Sequence, residues 1–380
     1  MDYWFTIEPY VYFNVVNGKS LLYNTLDGAV IESDSIEVAL LLQKIRIKEN
    51  CGVVKLSNEC SQKGDLKEFI SEVRKKYMGD LIAVNLSKWK PVQVMPIFNY
   101  ISNNTVELYK KHSITPYKNI LNNLTDIYIH LNKNVDIEYL VLFLQSLPEN
   151  LIINIIGNFD SVPKLDFLWD FLNASSAPKN IICSLEEFVL LNPVYKRNFY
   201  YRILVDNFVD VKLFNTSVLY LSQQLLSFEY IFNVTSIEEC NKAEEIISQY
   251  GIQNCCINPI YTGENILFFE KYVYLSKEDI LSTKISVKDI FSNQSINVYD
   301  FGKIHIMPNG DAYANVNHPI LGNIYRDSIY EIVQKELDEG KSWFRIRNEA
   351  PCHNCLYQWL CPSPSDCEIQ IGRSNLCFIK

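Results

Sequence analysis

The chain has no long apolar run, no basic stripe and no glycine-rich phosphate loop. Its 380 residues nowhere reach the eighteen or so consecutive apolar positions of a spanning helix, which argues against a membrane partner. The formal net charge is −9 and the lysines and arginines form no stripe, which argues against nucleic acid. No Walker A or dinucleotide fingerprint occurs. Met1-Asp2-Tyr3-Trp4 lacks the basic region and apolar stretch of a signal peptide. With an odd total of eleven cysteines, that predicts a cytoplasmic protein without disulfides. Fixed-motif repeats and low-complexity segments are absent too.

Catalytic constellations are equally scarce. The five histidines, His112, His130, His305, His318 and His353, stand at no diagnostic spacing from Ser, Asp or Cys partners. Cys255 and Cys256 are neighbours on a predicted strand, where adjacent side chains face opposite ways, so they are poor co-ligands. Glu238-Glu239 and Glu244-Glu245 read as solvated helix faces. No residue stands out as a general acid, base or nucleophile, so the set of catalytic residues is empty.

What is present gathers at the end. The stretch from Pro351 onward, PCHNCLYQWLCPSPSDCEIQIGRSNLCFIK, holds five of the eleven cysteines. Cys352 and Cys355 form a C-x2-C knuckle, Cys361 follows, and Cys377 closes the stretch. Four thiolates in this order can hold an iron–sulfur cluster or a zinc ion. Zinc ribbons carry two C-x2-C knuckles, and one knuckle with a C-x5-C step is the more cluster-like pattern. Buried structural thiols are the bland alternative. The polar, turn-forming neighbours argue against it, Pro362-Ser363-Pro364-Ser365 above all. His353, inside the knuckle, reads as a surface turn residue.

Along the chain, four regions separate. Residues 1–86 read as a small α+β domain of winged-helix-like architecture. It contains a hairpin at Asn17-Gly18, a turn at Asp27-Gly28, a helix capped by Ser35 and an amphipathic helix capped by Asp65. Residues 87–123 are a connector interrupted by Pro91, Pro96 and Pro116. Between 124 and 296, six strands alternate with helices, starting at Ile127–Leu131 and ending at Cys255–Asn258. That alternation implies a parallel sheet, as a partial (β/α)6 barrel or a doubly wound open sheet. Residues 297–380 begin with a hairpin turning at Asn309-Gly310, continue into a helix from Asp327, and end in the cysteine stretch.

Two resemblances follow. Leu21–Glu32, LLYNTLDGAVIE, and the element order around it resemble the leader-peptide recognition element of enzymes that modify ribosomally made peptides. The hairpin, Leu321-Gly322-Asn323-Ile324, the helix and Cys352, Cys355, Cys361 and Cys377 resemble a radical SAM protein with a SPASM domain. Members of that family carry C-x3-C-x2-C after the first barrel strand. Here the loop is Asn132-Lys133-Asn134-Val135-Asp136, and no cysteine lies between Cys60 and Cys183. The second strand ends Gly157-Asn158-Phe159-Asp160 in place of the Gly-Gly-Glu that binds the SAM amino group. Asn315 stands where the hairpin offers a cysteine, and Cys367 is off the usual spacing, hence a non-ligand.

The chain therefore resembles the pseudo-radical-SAM proteins of peptide-maturation systems in Bacteroidales, similar in Tyr357–Ser365, YQWLCPSPS. The resemblance implies an α/β fold: a radical-SAM-like partial (β/α)6 barrel between a winged-helix-like domain and a SPASM-like iron–sulfur domain. It also implies one [4Fe–4S] cluster on the four cysteines, zinc being the alternative, and no SAM binding or radical SAM activity. The implied partners are a precursor peptide and a true radical SAM maturase. A redox enzyme that uses the remaining cluster on a peptide is the alternative function.

Overall fold

The computed structural model describes residues 1–96, 99, 120–191, 199–206, 211–224 and 226–379. Much of the expected connector, 97–98, 100–119, falls outside the described residues. The protein is mixed α/β, and its strands form three sheets.

Two small antiparallel sheets come from the first eighty-three residues. One has the order β5-β1-β6, built from Val53–Leu56, Tyr3–Ile7 and Gly79–Ala83. The other is a meander of β2 (Val11–Val16), β3 (Lys19–Asn24) and β4 (Val30–Ser33). Asn17 and Gly18 turn β2 into β3 with positive φ at both positions, as a tight hairpin requires. The helix Ile36–Arg46 has Ser35 at its N-cap, although the Ser35 side chain makes no capping bond. The next long helix is Gly64–Lys75, so Asp65 lies within its first turn and not at the cap. Leu66, Phe69, Ile70 and Val73 form its buried stripe. Strand β6 ends at Ala83, and Val84–Leu86 is a 3-10 turn.

A nine-stranded sheet forms the centre. Its order is β12-β11-β10-β9-β8-β7-β13-β14-β15. Strands β7 (Asp126–Leu131), β8 (Ile152–Gly157), β9 (Lys179–Ser184), β10 (Phe199–Val205), β11 (Ser227–Val234) and β12 (Cys255–Pro259) lie side by side in chain order, all parallel. Sequence supplies the reason. Along β7, Ile127, Ile129 and Leu131 are buried while Asp126, Tyr128 and His130 are only half-buried. The same period of two recurs in β10 and β11. Between strands, helices such as Ile137–Gln145 and Ile237–Tyr250 start where Asp136 and Ser236 accept from the backbone N–H three residues on. Their apolar stripes meet the buried strand residues in one core, Leu140 and Leu144 against Ile127 and Ile155, for example.

The chain then turns back. Strand β13 (Lys303–Ile306) pairs parallel to β7, His305 beside Tyr128, on the edge that β8 leaves free. Strand β14 (Asp311–Tyr313) pairs antiparallel to β13, and the two-residue β15 (Gly322–Asn323) to β14. The hairpin expected to open a separate domain at 297 thus continues the central sheet.

The two ends of the chain also meet. One face of the meander, with Phe13, Leu22 and Ile31, packs on Val38, Leu42 and the other N-terminal helix residues. Its opposite face, with Tyr12, Leu21 and Tyr23, packs on Ile280, Ile285, Ile290, Tyr357, Leu360 and Cys361. Leu21, Ile290 and Leu360 are 0–2% exposed. Each side chain buried this fully contributes about 1.5–3 kcal/mol. The meander is therefore clamped between the N-terminal helices and the cysteine tail. Among the described residues no helix is long and apolar enough to cross a membrane.

Candidate metal centre

Cys352, Cys355, Cys361 and Cys377 line one small cavity, with Ile280, Arg347, Gln358 and Leu376 among its other walls. Local structure brings them together. A short 3-10 turn over Cys352–Asn354 bends the knuckle, and Cys355 N–H donates to the Cys352 carbonyl at 2.9 Å. Cys361 N–H donates to the Tyr357 carbonyl, folding the next loop back. Cys377 arrives beside Leu275: Leu275 N–H donates to Leu376 O, and Phe378 N–H to Leu275 O. Cys367 is elsewhere, in the helix Asp366–Ile371 and against the edge of the main core. His353 is exposed and does not line the cavity.

The cavity carries charge from a residue that the cysteine pattern does not single out. Arg347 is buried, 2.9 Å from the buried Glu368 carboxylate, and its guanidinium lies 3.9 Å from Cys352 Sγ. It also donates to the Pro362 and Ser363 carbonyls, tying the proline loop down. Burial pushes the Cys361 thiol up to about 12 and raises Cys352 and Cys355 as well, with Arg347 pulling back on all three. A metal binding there has to displace these protons. From the N-terminal sheet, Asn14 Nδ2 donates to the Cys355 and Leu356 carbonyls at 3.3 and 3.1 Å. Arg46 in turn donates to Phe13 O and to Asn14 Oδ1. Tyr357 donates to Glu32, which also pairs with Lys277 at 2.6 Å.

Among the described residues, no three His, Cys, Asp or Glu side chains are grouped closely enough to hold a single metal ion. Zinc needs all its ligands within about 2.3 Å of one point. A four-iron cluster binds each sulfur through a different iron, so its cysteines stand further apart around a hole. Four thiols line one cavity, with a buried guanidinium 3.9 Å from one of them, a donor set of the kind both groups use.

The other positions expected to matter sit in ordinary structure. After β7, Asn132 Oδ1 accepts from Asn134 N–H and Asp136 caps the following helix. After β8, Gly157 has φ +131°, and a Cβ there would come 2.2 Å from the Leu131 carbonyl oxygen. Phe159 is buried against Trp169, and Asn158 accepts from Asp160 N–H. The half-buried face of the large sheet is polar and largely self-satisfied. Asn180 donates to Asn154 and Asn154 to Asp126, while Arg202 pairs with Glu229 at 3.2 Å. His130 Nε2 lies 3.2 Å from His305 Nδ1. Burial keeps both rings neutral, with His305 pushed down to about 3 by burial, His130 and Lys303.

Asn315, at the end of the hairpin, is buried and donates to Asp300 at 2.9 Å and to Asp366 at 2.5 Å. Arg345 lies 3.6 Å from Asp300 and 3.8 Å from Asp366, and it donates to the Pro364 and Ser365 carbonyls. Burial, then the Asp366 charge, push the Asp300 carboxyl up to about 6.

Sequence reasoning missed Arg347, Asn14 and Glu32. Arg347 stands five residues before Cys352, a spacing that offered a signal. Asn14 and Glu32 lie more than three hundred residues from their partners and offered none. Neither a family model nor a curated protein matches this chain.

Proposed function

We propose that this chain is a non-catalytic partner protein in the maturation of ribosomally made peptides. It belongs by resemblance with pseudo-radical-SAM proteins that carry a SPASM-like tail. Cys352, Cys355, Cys361 and Cys377 hold one [4Fe–4S] cluster, and its own partners are a precursor peptide and a radical SAM maturase. When bound, the cluster supplies one-electron redox capacity and orders the tail. The chain's own residues do the rest. Arg347 offsets thiolate charge, Asn14 and Tyr357 fasten the knuckle to the N-terminal sheet, and Glu368 holds Arg347 in place.

One observation carries this reading: the four cysteines share one cavity, while the two positions that would serve SAM are taken by a helix cap and a packed phenylalanine. The six parallel strands in unbroken order support the partial-barrel reading of the central sheet. The self-satisfied polar face supports a fold that does without SAM.

Anaerobic purification with iron and sulfide counting, followed by reduction in the presence of SAM, tests the reading. Four irons per chain and no 5′-deoxyadenosine are expected. Cleavage of SAM above a no-protein control overturns the non-catalytic role, and stoichiometric zinc without iron overturns the cluster. Co-purification with a C-x3-C-x2-C maturase and a short precursor tests the partners.

A further inference from the structure

A cleft of about 410 Å3 opens along the seam between the N-terminal meander and the cysteine tail. Both ends of the chain build it: Lys19, Glu32 and Asp34 from the meander, Cys352, Cys355 and Cys377 from the tail. The same three cysteines line the sulfur cavity, so an occupant of the cleft lies against the candidate cluster. The volume falls in the range of small-ligand sites and admits a short extended segment, not a folded domain.

The walls define the occupant's chemistry. Asn17, Ser33 and Asn354 offer neutral amide and hydroxyl groups of the kind that pair with a peptide backbone. Ser20 also lines the cleft; its hydroxyl is buried and has no hydrogen-bond partner, an outcome that costs free energy unless a ligand supplies one. Charge is unbalanced. Lys19, the single cation among the described residues of the lining, lies 3.5 Å from Asp34, and Glu32 is held from outside by Lys277. The described lining therefore holds one cation against two carboxylates, and Asp34 is the more open of the two, with 82% of its side chain exposed.

We propose that this cleft binds a short peptide segment that carries a lysine or arginine, its cation directed at Asp34 and the cluster side of the knuckle. The proposal rests on the cluster reading of the four cysteines and adds to it a ligand class and a surface. It makes the N-terminal sheet and the tail two walls of one site.

The test uses full-length holoprotein reduced with dithionite and the probes Ac-Ala-Lys-Ala-NH2 and Ac-Ala-Glu-Ala-NH2, each 13C-labelled. Pulsed EPR of the reduced cluster detects a labelled peptide within a few ångströms. The expected result is 13C coupling with the lysine peptide, little with the glutamate peptide, and about fivefold weaker binding of the lysine peptide in Asp34→Lys. Asp34 is exposed, so this variant keeps the fold, with circular dichroism as the check. Equal responses to both peptides, none to either, or indifference to Asp34→Lys overturns the proposal. A preparation without iron overturns the cluster reading instead. Saturation-transfer NMR with the same peptides then decides the cleft: a lysine preference lost in Asp34→Lys upholds it, and any other result removes it.

Discussion

Two stations in the last eighty residues invite comparison. At one, four cysteines surround a cavity and leave it open. At the other, Asn315 fills the space at the end of the hairpin and binds Asp300 and Asp366, with Arg345 beside both carboxylates. Both are buried and both contain an arginine against negative or sulfur ligands. The difference is completeness. The Asn315 network closes on itself apart from Asp300 Oδ2 and Arg345 Nε, which lack hydrogen-bond partners. At the cysteine station Arg347 and Asn375 donate to the Cys352 and Cys377 sulfurs, and the four thiols share one cavity.

The largest expected effect comes from breaking the open station. Cys361→Ala removes a proposed ligand at one of the two buried positions; iron should fall to background and the tail should become protease-sensitive. Structural metal–thiolate sites contribute on the order of 10 kcal/mol to small domains, so the thermal midpoint should drop further than for any other variant here. Full iron occupancy in Cys361→Ala breaks the comparison. Next comes Arg347→Met, which strands Glu368 as a buried charge and should cost about 3–5 kcal/mol in urea unfolding. A loss under about 1 kcal/mol would mean that the pair is not what secures the proline loop.

The closed station titrates. Burial raises the Asp300 carboxyl above its unfolded value, so the folded state holds the proton more tightly. Its contribution is complete below about pH 4 and is lost as pH rises through about 6. The expected loss is up to about 3 kcal/mol. Asp300→Asn should flatten the dependence of the urea midpoint on pH across that window, and an unchanged slope would place the titration elsewhere. Asn315→Cys sharpens the contrast further. It places a thiol at the hairpin end yet deprives two carboxylates of a donor, so stability should fall by about 1–3 kcal/mol while the iron count stays that of the parent. Extra iron in that variant would show the station still able to take a cluster. Smallest of all is Cys367→Ala, expected to change stability by about 1 kcal/mol or less and iron content not at all.

How much of this was legible in the sequence follows from the range of the interactions. The strands from Asp126 to Pro259 announced themselves through a period of two, and their helices through caps such as Asp136 and Ser236. Local signals also marked the meander, where Asn17-Gly18 fixes the register. Strands β1 and β5 went unread because Tyr3–Ile7 finds its partners fifty and eighty residues away, with no turn to flag either pairing. The return of β13 to β7 was invisible for the same reason. Spacing singled out the four cysteines, and their convergence on one cavity depends on Leu275 capturing the strand-like stretch that carries Cys377. Nothing in the composition of the N-terminal unit revealed that its second face was spoken for. Tyr12, Leu21 and Tyr23 look like core residues of a free-standing module, and their covering lies at the far end of the chain.

That covering sets a schedule. Ribosomes add about 5–20 residues per second, and a β-sheet of local hairpins forms within microseconds once its residues are free. The meander therefore exists long before Tyr357, Leu360 and Cys361 are made, with the face of Tyr12, Leu21 and Tyr23 bare for on the order of tens of seconds. Closing the seam is a late step of folding, and it fastens the meander to residues made more than three hundred positions later. Whatever delays the tail prolongs the time for which an apolar, edge-bearing sheet stands open at the other end of the molecule, which makes aggregation of nascent chains the first symptom of a tail that fails to fold.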